Sequence, residues 1–164
     1  MFHRIALLGA LALLAFAQPA AAQKADLIDL TDPAVVATAL QRAGYKAEVK
    51  LSEKSGRPYI ASEANGSPFT IQFYGCKEGK KCTSMQFFTW WKKDKYFSVA
   101  IANEWNSKMR FVHAVLDSDG DIDQYMDITT VGPVSYEFFA DTVDWWVQMD
   151  REFTKFMREK SGAK

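Results

Sequence analysis

Residues that carry most enzyme chemistry are scarce in this sequence. Among its 164 residues are two histidines, two cysteines, five prolines and nine glycines. No H-E-x-x-H zinc pattern occurs, and His113 is the one histidine outside the N-terminal leader described below. It sits in Phe111-Val112-His113-Ala114-Val115, which reads as a sheet-surface histidine in a strand, and no G-x-S-x-G elbow exists to give it a serine partner. The phosphate-cradling patterns G-x-x-x-x-G-K-[ST] and G-x-G-x-x-G are missing too. So is an excess of one charge sign, since 20 Lys and Arg balance 20 Asp and Glu. That balance excludes a nucleic-acid binder driven by a basic surface, whose affinity rests on many phosphate contacts. These absences lead to the expectation of a non-enzymatic protein with no cofactor and no nucleic-acid partner.

What is present is apolar and aromatic: 48% hydrophobic and 14% aromatic residues, too much for a disordered chain. Residues 1–22 read as a secretory signal. His3 and Arg4 give a basic start, residues 5–17 an apolar run broken by Gly9, and Ala20-Ala21-Ala22 a small-residue cleavage site after Pro19. The run of about 13 residues is short of the ~20 that span a bilayer. No cysteine precedes Cys76, so a lipid-attachment cysteine is missing. The expectation is a periplasmic or secreted protein, free of the membrane after cleavage. Loss of Arg4 leaves 19 bases against 20 acids, a net charge of −1. In an oxidising compartment Cys76 and Cys82, separated by a polar loop, read as a disulfide closing a hairpin. Such a small loop removes about 2–2.5 kcal/mol of unfolded-state entropy.

After a tether at residues 23–30, one domain is expected over residues 31–160. Thr31-Asp32-Pro33 starts a helix that Gly44 stops. Tyr45, Ala47, Val49 and Leu51 alternate with charged residues as a half-buried strand. Strands at 58–61 and 69–74 flank Asn65-Gly66, a strong hairpin signal. A fourth strand at 83–91 has Met85 and Phe87 on one face and Phe88 and Trp90 on the other, the pattern of a strand covered on both sides. A helix over 96–109, strands over 111–116 and 122–130, and a long helix from about residue 135 complete the chain. In that helix Phe139, Val143, Trp146, Met149, Phe153, Phe156 and Met157 recur at steps of three or four. The order α-β-β-β-β-α-β-β-α with short turns predicts an α+β fold, helices packed on an antiparallel sheet.

Candidate sites are few. Asp117, Asp119, Asp121 and Asp123 crowd a glycine turn and offer oxygen ligands, but the spacing departs from the EF-hand loop and a hairpin tip explains it as well. A calcium or small-ligand binder is therefore the alternative reading, and no metal site is favoured. The basic clusters Lys77/Lys80/Lys81 and Lys92/Lys93/Lys95 lie at opposite ends of one strand, about 30 Å apart, and read as solvated loops. Trp90-Trp91 point to opposite faces of a strand, and Trp145-Trp146 diverge by about 100° on a helix. All belong to the core if both sheet faces are covered; otherwise Trp90, Trp91 and Trp145 are the candidate anchors for a protein partner.

Several segments together resemble the exported members of the YbjN family. They are Asp32-Pro33, Gly44-Tyr45, Phe73-Tyr74-Gly75-Cys76, Cys82-x-Ser84-x-Gln86-Phe87, Asn103-x-Trp105-Asn106, Arg110-Phe111, Leu116-Asp117, Gly120-Asp121 and Met126-Asp127. The match spans residues 30–157. The resemblance implies sensory transduction regulation, a fold similar to type III secretion chaperones, and action through protein contacts, with a homodimer among the options. It brings no catalytic residues, and it implies structural roles for Asn103, Trp105, Asn106 and Arg110.

Overall fold

The N-terminus of the first helix follows from its capping chemistry. Asp32 is extended, its carboxylate accepts the Ala34 N–H at 2.9 Å, and Pro33 takes the first helical position, where no N–H is needed. The computed structural model describes residues 26–161, so the expected signal peptide and its cleavage site lie outside the described residues. Within the stretch read as a tether, Leu27–Ile28 form a short strand, β1, and Leu30 is fully buried. Two residues are too few for an alternation to show in sequence.

Helix α1 (Pro33–Arg42) is followed by strands β2 (Glu48–Leu51), β3 (Pro58–Ala64), β4 (Ser67–Tyr74) and β5 (Ser84–Trp91). Then come α2 (Val99–Lys108), β6 (His113–Leu116), β7 (Ile122–Thr129), β8 (Val134–Ser135) and α3 (Tyr136–Ser161). Six strands make one antiparallel sheet in the order β2-β3-β4-β5-β7-β6, while β1 pairs with β8 alone. This is the α+β architecture expected. Asn65 and Gly66, both at positive φ, join Ala64 to its partner Ser67 in a two-residue hairpin turn.

The β4–β5 loop is closed by a Cys76–Cys82 disulfide. Gly75 opens it at φ +61°, where an added Cβ would lie 2.2 Å from Thr83 Oγ1, so the turn admits only glycine. The loop is docked rather than free. Cys82 N–H donates to the Thr31 carbonyl at 3.0 Å, Lys80 pairs with the Asp32 cap at 3.0 Å, and the Thr130 hydroxyl donates to the Cys82 carbonyl.

All three helices lie on one face of the sheet. The α3 stripe is buried as its spacing implied, with Trp146 packed against Phe69 of β4 and Phe87 of β5 at 5.8 and 5.7 Å between ring centroids. Further along α3, Phe153 meets Trp105 of α2 edge-on at 4.9 Å. Two expectations are corrected here. Phe88 and Trp90 face away from every helix, because the three apolar stripes all converge on the opposite face. Val49 and Leu51 are exposed rather than half-buried, because β2 is an edge strand with a neighbouring strand on one side only.

The other edge is closed. Trp105 Nε1 donates to the Val112 carbonyl at 2.9 Å. Asn106 then takes both backbone groups of Ala114, accepting its N–H and donating to its carbonyl at 2.9 Å each. The amide side chain thus stands where a neighbouring strand would be. The structural roles implied for Trp105 and Asn106 are these. Helix α2 begins at Val99, later than the pattern suggested, because the Ser98 hydroxyl caps the Ile101 N–H. Strand β6 begins only at His113, because Phe111 is left-handed at φ +69° and packs its ring, tilted, against Trp145 at 4.8 Å.

Two substitutions test this frame. Asn106→Ala leaves a buried N–H and carbonyl unpaired and is expected to cost about 1–3 kcal/mol in urea unfolding. Reduction of the disulfide, or Cys76→Ser with Cys82→Ser, is expected to cost about 2 kcal/mol by the same measurement. The oxidised protein should show no free thiol on titration.

Candidate functional site: the uncovered sheet face

Strand pairing sets the side chains on the uncovered face in rows. One row runs Lys50, Tyr59, Gln72, Gln86, Asp127, and the next Glu48, Ala61, Thr70, Phe88, Tyr125, His113. A third carries Trp90, Asp123 and Val115. This face is rich in rings. Trp90 is 59% exposed and stacks on Phe88 at 6.4 Å, and His113 lies 5.9 Å from the Tyr125 ring, a strand-surface histidine as its sequence context suggested.

The turn between β2 and β3 rises over this face and makes a groove of about 560 Å³ with Tyr59, Tyr74, Phe88 and Trp90. Arg57, from the end of that turn, holds its guanidinium 5.4 Å from the Tyr74 ring centroid. The Tyr74 hydroxyl faces Gln72 Oε1 at 2.9 Å and Gln86 Oε1 at 3.2 Å, and Gln86 Nε2 donates to Asp127 Oδ1 at 2.9 Å. Burial raises the Tyr74 pKa above the usual tyrosine value; Arg57 opposes this and Asp127 adds to it. Tyr74 is therefore a neutral donor at neutral pH. Among the described residues none of the groove's hydroxyls hydrogen-bonds to a histidine or carboxylate. The arrangement offers ring faces, amide groups, the Arg57 guanidinium and the Glu53 carboxylate.

The three tryptophans expected as partner anchors are not brought together. Trp90 alone stands on the open face. Trp91 lies on the helix side, edge-on to Phe153 at 5.7 Å, and its Nε1 donates to Gln124 Oε1 at 3.4 Å. Trp145 is half-buried against Phe111, while its neighbour Trp146 is core. Sequence reasoning missed Arg57 and Tyr74, since only the strand order β3-β4-β5 sets them in one groove with Trp90.

In the acidic turn, Asp117 Oδ1 accepts the N–H groups of Asp119 and Asp121 at 2.9 and 2.8 Å, and Asp121 accepts the Lys93 N–H at 2.8 Å. The Lys93 side chain lies against Gly120. Asp123 projects beside Trp90, and burial, then Asp117 and Asp121, raise its pKa above the usual carboxylate value. Among the described residues no group of three or more acidic, histidine or cysteine side chains is placed to hold a metal ion.

A second concavity, about 810 Å³, lies between the end of α3 and the β5–α2 loop. Asp150 lines it and is 9% exposed, with Oδ1 buried and without a hydrogen-bond partner. Burial raises its pKa, opposed by a hydrogen bond from Ser67. A sequence signal for it did exist, because Asp150 sits four residues after Trp146 and three before Phe153, on the buried side beside Met149.

The fold and this face define a small domain with helices on one side of a sheet and an uncovered aromatic surface on the other. Residues 32–159 match the family model YbjN, described as "Putative bacterial sensory transduction regulator". The chain belongs to the YbjN family. No curated protein and no solved structure matches it.

The buried acid generates a pH test. A carboxyl whose folded pKa is raised binds more protons folded than unfolded, so stability falls as pH rises from its unfolded pKa through its folded one. Asp150→Asn removes this cost. The variant is expected to gain in melting temperature relative to the parent between pH 3 and pH 7, and a difference independent of pH would refute the assignment.

Proposed function

We propose that this protein is a non-enzymatic protein-binding module of an exported regulatory or chaperone-like kind, and that the uncovered sheet face is its partner surface. One observation carries the reading: a tryptophan 59% exposed, stacked on Phe88 at one end of a groove that Tyr59, Tyr74 and Arg57 also line. Trp, Tyr and Arg are the residue types that dominate binding energy at protein interfaces, and they do so when clustered around a pocket. Membership of the YbjN family supports a regulatory or binding role. Export is part of the proposal, and the Cys76–Cys82 disulfide supports it, since such bonds persist in oxidising compartments.

A small-ligand reading has one observation in its favour, because a groove of about 560 Å³ falls within the range of small-molecule sites. A ligand-dependent rise in melting temperature would select it.

The test is a crosslinking pull-down from periplasm with the parent chain and Trp90→Ala. Trp90 supports little of the core, so the substitution is expected to change stability by no more than about 0.5 kcal/mol. Loss of a central aromatic anchor costs about 2 kcal/mol or more, roughly 30-fold in affinity, and the crosslinked partner should disappear. Unchanged recovery of the same partner by the variant would exclude this face.

A further inference from the structure

The two edges of the six-stranded sheet are treated differently. Natural edges are blunted by covering groups, charges, prolines or bulges, because an open row of N–H and C=O groups pairs with other chains. At β6 the cover is Trp105 and Asn106. At β2 every residue from Glu48 to Leu51 is exposed. Among the described residues no side chain bonds the backbone of those four; Gln41 Nε2 reaches the carbonyl of Ala47, just before the strand.

The direction of the free groups can be read from the register. Ser52 N–H donates to the Arg57 carbonyl, and Leu51 opposes Pro58, which has no N–H to give. In an antiparallel ladder hydrogen-bonded pairs alternate. Lys50 and Glu48 therefore bond toward β3, and the N–H and C=O of Val49 and Leu51 point outward. Glu48 and Lys50 project on the uncovered face and are ion-paired at 3.1 Å, while Val49 and Leu51 project on the helix side, 43% and 66% exposed.

We propose that β2 is a self-pairing edge, and that its occupant is β2 of a second copy of this chain, antiparallel and centred on Val49. The charge pattern selects that register. A two-fold axis normal to the sheet keeps the helices of both copies on one side and requires one residue to face itself. Two such registers overlap three strand residues. Centring on Lys50 sets Lys50 against Lys50. Centring on Val49 sets Glu48 against Lys50 twice and Val49 against Val49, while Ala47, whose carbonyl Gln41 covers, stays outside the seam. Opposite charges directly across a ladder stabilise and like charges destabilise, so only the Val49 register is self-complementary on both faces. The assembly is a continuous twelve-stranded sheet whose two aromatic grooves flank the seam, since the β2–β3 turn forms the wall of each. This inference stands independently of what the open face binds.

Such a short seam buries less than a standard interface of ~1,600 Å², so the dimer depends on concentration. The test is sedimentation velocity of the chain purified from periplasm with its disulfide formed. Lys50→Glu and Glu48→Lys each place like charges opposite twice and are expected to weaken dimerisation at least tenfold. The double swap Glu48→Lys with Lys50→Glu should restore it, as should an equimolar mixture of the two single variants. Both positions are exposed, and unchanged melting temperatures will confirm folding. A parent chain monomeric up to millimolar concentration would overturn the proposal. So would a dimer that either single variant leaves intact, or one that the double swap fails to rescue.

Discussion

The structure rests on the burial of one face of α3. That helix of 26 residues is about 39 Å long, and six strands set side by side span only about 24 Å, so it can cross the whole sheet and serve both halves of the core. Trp146 packs against Phe69 and Phe87 in one half, and Phe153 against Trp91 and Trp105 in the other. Helices α1 and α2 complete the same layer on either side. Because all three apolar stripes are spent on one face, the opposite face has nothing left in the described chain to cover it.

From that asymmetry comes the proposed partner surface. Rings that a two-sided core would have absorbed stand in rows on the open side, partly shielding one another through the Trp90–Phe88 stack. The β2–β3 turn supplies the one wall that makes a groove of an otherwise flat sheet, and it brings Arg57 over Tyr74. The disulfide loop begins directly after Tyr74 and docks toward the helix layer. It ties the start of α1 to the β4–β5 hairpin through Thr31, Asp32 and Cys82, so it fixes the helix layer while leaving the opposite face uncovered.

Much of the frame was legible in the residues. Asp32-Pro33 and Asn65-Gly66 act through local backbone chemistry, and the α3 stripe announces its buried side by period alone. The Asn106 cap on Ala114 was implied as structural by family resemblance, but its partner belongs to a strand eight residues on and could not be read from spacing. β2 misled for the opposite reason: its alternation is real, yet alternation describes two faces without saying that either is covered. Arg57 and Tyr74 were missed because they meet across a hairpin, where strand order rather than neighbourhood decides contact.

The adjacent pair Trp90-Trp91 shows where the division falls. Backbone pleating in a strand sends successive side chains to opposite faces, so the residues themselves determine that one tryptophan points up and the other down. Which of them meets Phe153 and which meets solvent is decided only when α3 docks. Burial is a property of the assembled layers, and a period-two pattern is the same whichever side those layers cover.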